Sequence, residues 1–461
     1  MAAKVALAKT VAAASGRAGH SGTTLPGGVI AAIDKGVIGR VSRWLPEGSV
    51  LVSATNGKTT TNAMIADILA REGMKVARNR EGANLAAGVA TALLKDASLT
   101  GRPRSDIGLF EVDEFALPEV AKQCSPRTVL LMNLFRDQLD RYGELEHIAE
   151  RWRSAVMSLG SGTQAIFNAD DPLVAAMATL RQDRTLCYGI EDTAAGGKVM
   201  QHASDSKYCT VCGNPFEYEI FYMGHLGKYL CPACGYSRPS PAIYAEKLAF
   251  DGMRGSRFDL VTPECTVSIK LPLPGLYNVY NALAAAACAF SLGIGPASVK
   301  DGLAAFSAAF GRVEQLVIEG KKVVMLLVKN PAGFNEVVRT LLTEPGKKSL
   351  LMALNDRIAD GRDVSWIWDV DLEVVAPEIE SAVTGGTRAG EMAMRLKYAG
   401  VDQSLLKVEP DLREALRQAL RRTGEKETLY VLPTYTAMLA LRQAIHQDFT
   451  TDRKLGDLVW K

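Results

Sequence analysis

Short apolar runs that end in polar, turn-forming strings recur along this chain, with stretches of helical period between them. Residues 50–53 are the first such run and read as a short buried strand. A helical stretch follows over residues 60–71 and is stopped by Gly73. Residues 75–77, 107–112, 128–132 and 164–167 repeat the strand pattern, and helical segments separate them. Strands alternating with helices predict a doubly wound α/β sheet. Residues 258–260 and 266–269 predict a small β region, followed by an alanine-rich helix that ends at Gly293 and another opened by Pro296. From about residue 315 the pattern restarts, with strands predicted over residues 322–328, 349–354 and 428–432. That restart predicts a second, smaller α/β domain of Rossmann-like type. The expected divisions are a helical lead-in over residues 1–48 with a turn at Pro26-Gly27, a central domain over 49–313 and a C-terminal domain over 314–461.

Composition narrows the function classes. At 461 residues the chain has room for roughly two to four domains. A net charge of +2 supplies no strong field for nucleic acid or an anionic membrane. The longest apolar run, residues 282–292, is too short to span a bilayer. The alanine-rich start has no acid before Asp34, as in a targeting peptide, but Lys9 interrupts the run, and the reading is an amphipathic first helix. Eight cysteines in a chain of this length do not make a disulfide scaffold and fit a reducing, cytosolic setting.

The polar strings at the strand ends carry the candidate chemistry. Ala54-Thr55-Asn56-Gly57-Lys58-Thr59 reads as a tight phosphate loop between a strand and a helix N-terminus. Gly57 lets the backbone approach a phosphate, Lys58 brings a point charge and the Thr59 hydroxyl can hold Mg²⁺. Val52 stands where the general pattern has its first glycine. Glu111-Val112-Asp113-Glu114 puts carboxylates at a strand's C-terminal end, where ligands of a parallel sheet bind. One of them can hold Mg²⁺, and a solvated acidic turn is the other reading. Cys209-x2-Cys212, eighteen residues, then Cys231-x2-Cys234 has the spacing of a four-thiolate zinc ribbon, read as an insertion over residues 205–240. Four thiolates leave no open coordination position, so the zinc is expected to be structural; an iron–sulfur cluster or a redox pair competes. Cys124, Cys187, Cys265 and Cys288 lack such spacing and read as small apolar residues. Asn278 and Asn281, at the start of the alanine-rich helix, read first as helix caps.

The strings ATNGKTTT (54–61), EVDE (111–114), NLFRDQLDRYGE (133–144), FNADDP (167–172), GLYNVYNALAAAA (275–287) and GR-x-E (311–314) occur in one order. Together they resemble the ATP-dependent Mur ligase family, which also includes folylpolyglutamate synthetases. No separate UDP-binding domain is read before the phosphate loop, and a four-cysteine ribbon interrupts the central domain. KNPAGFNEV (329–337) and NDRIADGRDVSWIWDVD (355–371) then resemble the MurT branch of that family, the synthetase subunits of lipid II isoglutaminyl synthase. The resemblance covers nearly the whole chain from about Leu25.

That resemblance implies ATP, Mg²⁺ and a structural Zn²⁺. Thr55, Asn56, Gly57, Lys58, Thr59 and Thr60 would hold the ATP phosphates, with Thr59 and Glu111 on magnesium. Asn281, with Asn278 beside it, would contact adenine, and Arg312 would reach the γ-phosphate. Ala54 replaces the family's usual glycine, and Gln138 stands where many members have a metal-binding histidine. The implied reaction is amidation of the D-glutamate α-carboxylate in the lipid II stem peptide through an acyl phosphate. It would run in the cytoplasm at the inner face of the membrane. Nothing in the chain resembles a glutaminase, so ammonia would come from a GatD-like glutamine amidotransferase in a heterodimer. The family's C-terminal domain lends a carboxylate to that partner's Cys–His pair; Asp356 is favoured for it, with Asp360 and Asp363 behind. Turn-capping is the competing reading of each aspartate. Two rival functions stay open: a stand-alone Mur- or folylpolyglutamate-type amino-acid ligase, and a nucleotide-gated ribbon protein that binds nucleic acid.

Overall fold

The computed structural model describes residues 2–17, 23–79, 82–137, 145–181, 183–202, 204–306 and 313–449. The first strands are β1 (Ser49–Ser53), β2 (Val76–Arg78), β3 (Ile107–Glu111), β4 (Thr128–Leu131), β5 (Gln164–Asn168) and β6 (Thr185–Ile190). After the separate hairpin of β7 (Glu217–Met223) and β8 (Leu226–Leu230) come β9 (Ile243–Phe250), β10 (Ser256–Val261) and β11 (Thr266–Leu271). They form a nine-stranded sheet in the order β11-β10-β9-β6-β5-β4-β1-β3-β2. It is parallel from β2 through β9 and antiparallel over β9, β10 and β11. β1 and β3 are buried along their whole length, because helices cover both faces of the sheet. One face packs on the helices Lys58–Arg71, Leu276–Ser291 and Pro296–Ala304, the other on the N-terminal helices with Ala86–Asp96, Leu117–Cys124, Leu145–Met157 and Pro172–Ala178.

The second sheet holds β12 (Val313–Ile318), β13 (Lys321–Leu326), β14 (Lys348–Ala353), β15 (Ile379–Gly385), β16 (Leu406–Val408) and β17 (Thr428–Pro433), in the order β12-β13-β17-β14-β15-β16. Only the β12–β13 pair is antiparallel. The two α/β sheets expected from the sequence are therefore present, with more strands than the apolar runs predict. β6 to β9, β12, β15 and β16 have no counterpart among the predicted strands.

The N-terminal segment departs from expectation in two ways. Pro26-Gly27 is not a turn but the start of a helix, Leu25–Ile33. Proline is tolerated there because the first helical N–H groups have no intrahelical partner. Gly27 belongs to the helix because it packs on Ala86–Asp96. Its N–H donates to the Thr91 hydroxyl at 2.8 Å, and an added Cβ would stand 2.1 Å from the Ala87 carbonyl oxygen. The first helix, Ala2–Arg17, forms, but over residues 2–15 it buries only Val5, Ala8 and Ser15 and leaves Leu7 exposed. With alanine on every face, its two sides barely differ.

No helix among the described residues is long and apolar enough to cross a membrane. Gly27→Ala is expected to lower the urea-unfolding free energy by about 1–3 kcal/mol through overpacking. The neighbouring Gly28→Ala, whose added Cβ meets nothing nearer than 3.9 Å, is expected to raise it by up to about 1 kcal/mol through helix propensity.

Candidate functional site

β1 lies between β3 and β4, so the loop after it opens into the crevice where the sheet's winding reverses. The register sets Glu111, the last residue of β3, beside Val52. Gly57 caps the helix Lys58–Arg71 and brings no side chain to its first N–H groups, which remain open to an anion. Two constraints require glycine here: φ is +90°, and a Cβ would stand 2.1 Å from Asn281 Oδ1. Ala54 is fully buried and its backbone is outside the left-handed region, so its methyl costs no strain.

The loop is held from outside. Asn133, just after β4, accepts from the Asn56 N–H at 2.9 Å and donates to the Asn56 carbonyl at 3.0 Å. The Thr55 N–H donates to the Asn133 carbonyl at 2.9 Å, and the Thr55 hydroxyl accepts from the Phe135 N–H at 3.0 Å. From the C-terminal unit, Asn330 donates its amide to Asn56 Oδ1 at 2.9 Å.

Lys58 is buried, with its ammonium 3.0 Å from Glu114 and donating to the Ala54 carbonyl. Burial pushes the Glu114 carboxyl above its ordinary range, against the pull of Lys58. The Thr59 hydroxyl donates to Glu111 Oε2 at 2.9 Å. Asn79 fixes the Glu111 backbone, donating to its carbonyl at 2.7 Å and accepting from its N–H at 3.0 Å. A hydroxyl and a carboxylate thus share one point beside an ammonium at a helix N-terminus. Two oxygen donors of that kind suit a hard cation.

Thr55, Asn56, Gly57, Lys58, Thr59, Glu111 and Asn281 converge here. Thr60 is buried in the helix's first turn, while Thr61 takes the contact with Asn281, at 3.3 Å. Neither asparagine of the alanine-rich helix caps it, since Gly275 stands at that position. Asn278 donates to the Pro274 carbonyl at 2.7 Å, and Asn281 donates to Asn278 at 3.2 Å. Arg312 and Gln138 lie outside the described residues. Asn133, Asn79 and Asn330 were not singled out in the sequence, although each stands in a polar string at a strand end, and Glu114, read there as one of the candidate magnesium carboxylates, pairs with Lys58 instead.

The acidic FNADDP string proves structural. Asp171 caps the helix Pro172–Ala178 and also accepts from the Leu134 N–H at 2.9 Å. Asp170 is fully buried and accepts from Arg238 at 2.6 Å and the Tyr280 hydroxyl at 2.7 Å. Burial raises its carboxyl, with Arg238 opposing.

The three C-terminal aspartates have different surroundings. Asp356, just past β14, is half-buried and accepts from the Thr387 hydroxyl and from Arg388 Nε, each at 2.8 Å. Those bonds, Thr387 first, hold its carboxyl below the usual range. Asp360 is buried and accepts from the Thr436 N–H at 2.8 Å and from its hydroxyl, at the start of the helix Tyr435–Asp448; burial pushes it up. Asp363 is exposed and accepts from the Ser365 N–H at 2.8 Å, which lowers it. Asp360 and Asp363 line a cavity of about 170 Å³ with Arg136, Lys329 and Trp366, and Asp356 is not in its walls.

Cys209, Cys212, Cys231 and Cys234 bring their sulfurs within 4.8 Å of one another. Cys209 and Cys234 are 3.6 Å apart, Cys212 and Cys231 3.5 Å. Four thiolates tetrahedral about a metal at ~2.3 Å stand about 3.8 Å apart, so the donor set fits such an ion. Of the other cysteines, Cys124 and Cys288 are buried and Cys187 and Cys265 half-buried. Burial pushes the Cys124 and Cys288 thiols to about 12 and that of Cys187 to about 11.

The Mur ligase middle domain profile matches residues 52–231, and the MurT ligase C-terminal profile matches residues 327–438. The subunit MurT of the glutamine-hydrolysing lipid II isoglutaminyl synthase of Staphylococcus aureus strain N315 is 32% identical over 449 residues, 96% of this chain and 97% of that one. The same-named subunit of Streptococcus pneumoniae strain ATCC BAA-255 / R6 is 32% identical over 451 residues, 95% and 97% of the two chains. Among solved structures, a pseudomurein peptide ligase type C from Methanothermus fervidus superposes with a TM-score of 0.69 at 24% identity, covering 87% of this chain and 79% of that one. MurF ligase from Thermotoga maritima in complex with ADP gives 0.61 at 14% identity, covering 91% and 83%. The structural likenesses carry the fold, and the sequence relatives, matched almost from end to end, carry more: this chain belongs to the MurT family of Mur ligases, ATP-dependent ligases of peptidoglycan synthesis.

Proposed function

We propose that the chain is the synthetase subunit of a lipid II isoglutaminyl synthase and amidates the D-glutamate α-carboxylate of the lipid II stem peptide. The observation that carries this reading is the joining of Thr59 to Glu111 beside Lys58, at a helix N-terminus, in a chain that the two named relatives match over 97% of their lengths. ATP and Mg²⁺ belong over residues 55–60, with Glu111 and Thr59 as the magnesium ligands. The substrate carboxylate attacks the γ-phosphorus, ADP leaves, and an acyl phosphate forms. Ammonia then attacks the acyl carbon, phosphate departs with the C–O electron pair, and the nitrogen sheds a proton to leave the amide. Two anions must meet in the first step. Lys58 leaves Glu114 for the phosphate oxygens, and the N–H groups after Gly57 face the charge that develops. Magnesium held by Thr59 and Glu111 would offset the negative charge of the phosphates.

Ammonia comes from a GatD-like glutaminase with a Cys–His pair, and Asp356 is the carboxylate offered to its histidine. The lowered, half-exposed carboxyl at a strand end supports that role: it stays ionised and can still accept a bond from an imidazole. Asp360 is held by Thr436 and Asp363 by the Ser365 N–H, and both serve the loop's shape. The ribbon ion is zinc and structural. The work is done in the cytoplasm, at the inner membrane face where lipid II presents its stem peptide.

With purified partner, glutamine, MgATP and lipid II, the stem peptide is expected to become lighter by the difference between OH and NH₂. Product formed by the chain alone with a free amino acid would instead make it a stand-alone ligase. Lys58→Ala is expected to lower kcat/KM for that amidation about 10²–10³-fold. Asp356→Asn should keep the ammonia-driven activity and lose the glutamine-driven one; survival of both activities removes Asp356 from the partner's triad. Elemental analysis should find one zinc per chain. Its removal by a chelator should lower the melting midpoint by at least ~5 °C, because the metal supplies local folding energy.

A further inference from the structure

The four-thiol ribbon has no part in the proposed chemistry, yet its hairpin reaches the phosphate loop. The thiols close the open end: Cys209 precedes β7, and Cys231 follows β8 directly. The other end is the turn Gly224-His225, and it is buried rather than exposed. The His225 ring is 4.7 Å from the ring of Phe135, centroid to centroid. Its Nδ1 accepts from the Asp205 N–H at 3.4 Å, which puts the ring proton on Nε2, 3.5 Å from Asp171 Oδ2. The Asp205 carboxylate takes the Arg136 N–H at 3.0 Å and the Arg136 guanidinium. Phe135, between Leu134 on Asp171 and Arg136 on Asp205, is the residue whose N–H holds the Thr55 hydroxyl. The path from metal site to nucleotide loop is therefore continuous: thiols, hairpin, His225 and Asp205, residues 134–136, Thr55.

We infer that the ribbon is a brace for the phosphate loop, and that Asp205 and His225 are the positioning residues through which it acts. A two-stranded hairpin is marginal by itself, so its far turn is placed only if its open end is tied. Residues 134–136 form no strand or helix, and their N–H groups need outside acceptors. Asp171, Thr55 and Asp205 supply one each, in order. The ribbon sets the third of these and, through the His225 ring, the position of Phe135. Loss of the brace lets Thr55 and Asn56 move off the geometry that binds phosphate, while Lys58, Thr59 and Glu111 keep their chemistry.

This inference rests on the phosphate loop being the nucleotide seat, and the test separates the two. The full-length metal-loaded chain is titrated with Mg-AMPPNP by calorimetry, with metal content and melting midpoint recorded for each variant. Asp205→Ala is expected to weaken binding about tenfold, the effect of losing a charge-assisted bond, at unchanged metal content. In turnover with partner, KM for ATP should rise by a similar factor while kcat at saturating ATP is kept. Asp205→Asn, which retains an acceptor for the Arg136 N–H, should recover part of the affinity. His225→Phe, which keeps the ring packing and loses both ring nitrogens, should give a smaller loss of affinity in the same direction. Parental affinity in Asp205→Ala and His225→Phe, alongside a Lys58→Ala chain that has lost binding, overturns the brace and spares the loop. So does an affinity loss that appears only where metal or melting midpoint is lost with it. A Lys58→Ala chain that binds like the parent overturns the nucleotide reading itself.

Discussion

The N–H groups that follow Gly57 have to stay open for phosphate, so the loop before them cannot be held by its own helix end. Residues 54–57 meet that constraint by taking their order from neighbours. Asn133 satisfies both the N–H and the carbonyl of Asn56, Phe135 and Asn133 bracket Thr55, and Asn330 reaches in from the other sheet. Each neighbour lies at the C-terminal end of a parallel strand, where the sheet delivers side chains from separate parts of the chain to one edge. The doubly wound topology is thus the means by which an unsupported loop acquires partners.

Charge follows the same logic. A buried lysine is tolerated only with a counter-charge, and Glu114 provides it at 3.0 Å. Burial works against the Glu114 carboxylate, so the pair is held by mutual need rather than by favourable solvation. A triphosphate brings more negative charge than Glu114 and offers Lys58 a better partner. Asp356 is the opposite case. Its donors, Thr387 and Arg388, stabilise the ionised form near solvent, where little desolvation opposes them. The two carboxylates differ in environment as they differ in proposed role. Glu114 keeps a lysine in place, and Asp356 presents a charge to a neighbour.

The strands that carry the site were legible because burial on both faces leaves continuous apolar runs, as in Val50-Leu51-Val52 and Thr128-Val129-Leu130-Leu131. β6 and β15 were not, because Thr-Leu-Cys-Tyr-Gly-Ile and Ile-Glu-Ser-Ala-Val-Thr-Gly mix small and polar residues that only the tertiary surroundings bury. The phosphate-loop residues could be read because their chemistry is local and follows the chain. The residues that hold the loop could not: Asn133 and Asn330 are remote from it in sequence, and an asparagine in a polar string has no distinguishing periodicity. Asp360 shows the same limit. The family resemblance put it behind Asp356 as a partner-facing acid, while in the structure it accepts from the backbone N–H and hydroxyl of Thr436, 76 positions on.

The seam between the two sheets follows from what the site needs to admit. Near the nucleotide loop it pairs Asn56 with Asn330, Lys329 with Asp137 and Arg136 with Asp369, and farther out His202 with Asp371 and Arg339 with the Tyr222 carbonyl, while Ala332 packs into the central core. Such pairs exchange for water at small cost, each worth about a kcal/mol or less where solvent reaches. Away from the loop, Met253 at the β9–β10 turn packs into the C-terminal core, and its N–H donates to Glu344 at 2.5 Å. Apolar contact concentrated at Met253, and exchangeable pairs near the site, mean that parting the sheets there would expose little beyond Ala332. Ligands of a parallel sheet enter between the strand ends. An apolar seal there would have to be broken at every turnover.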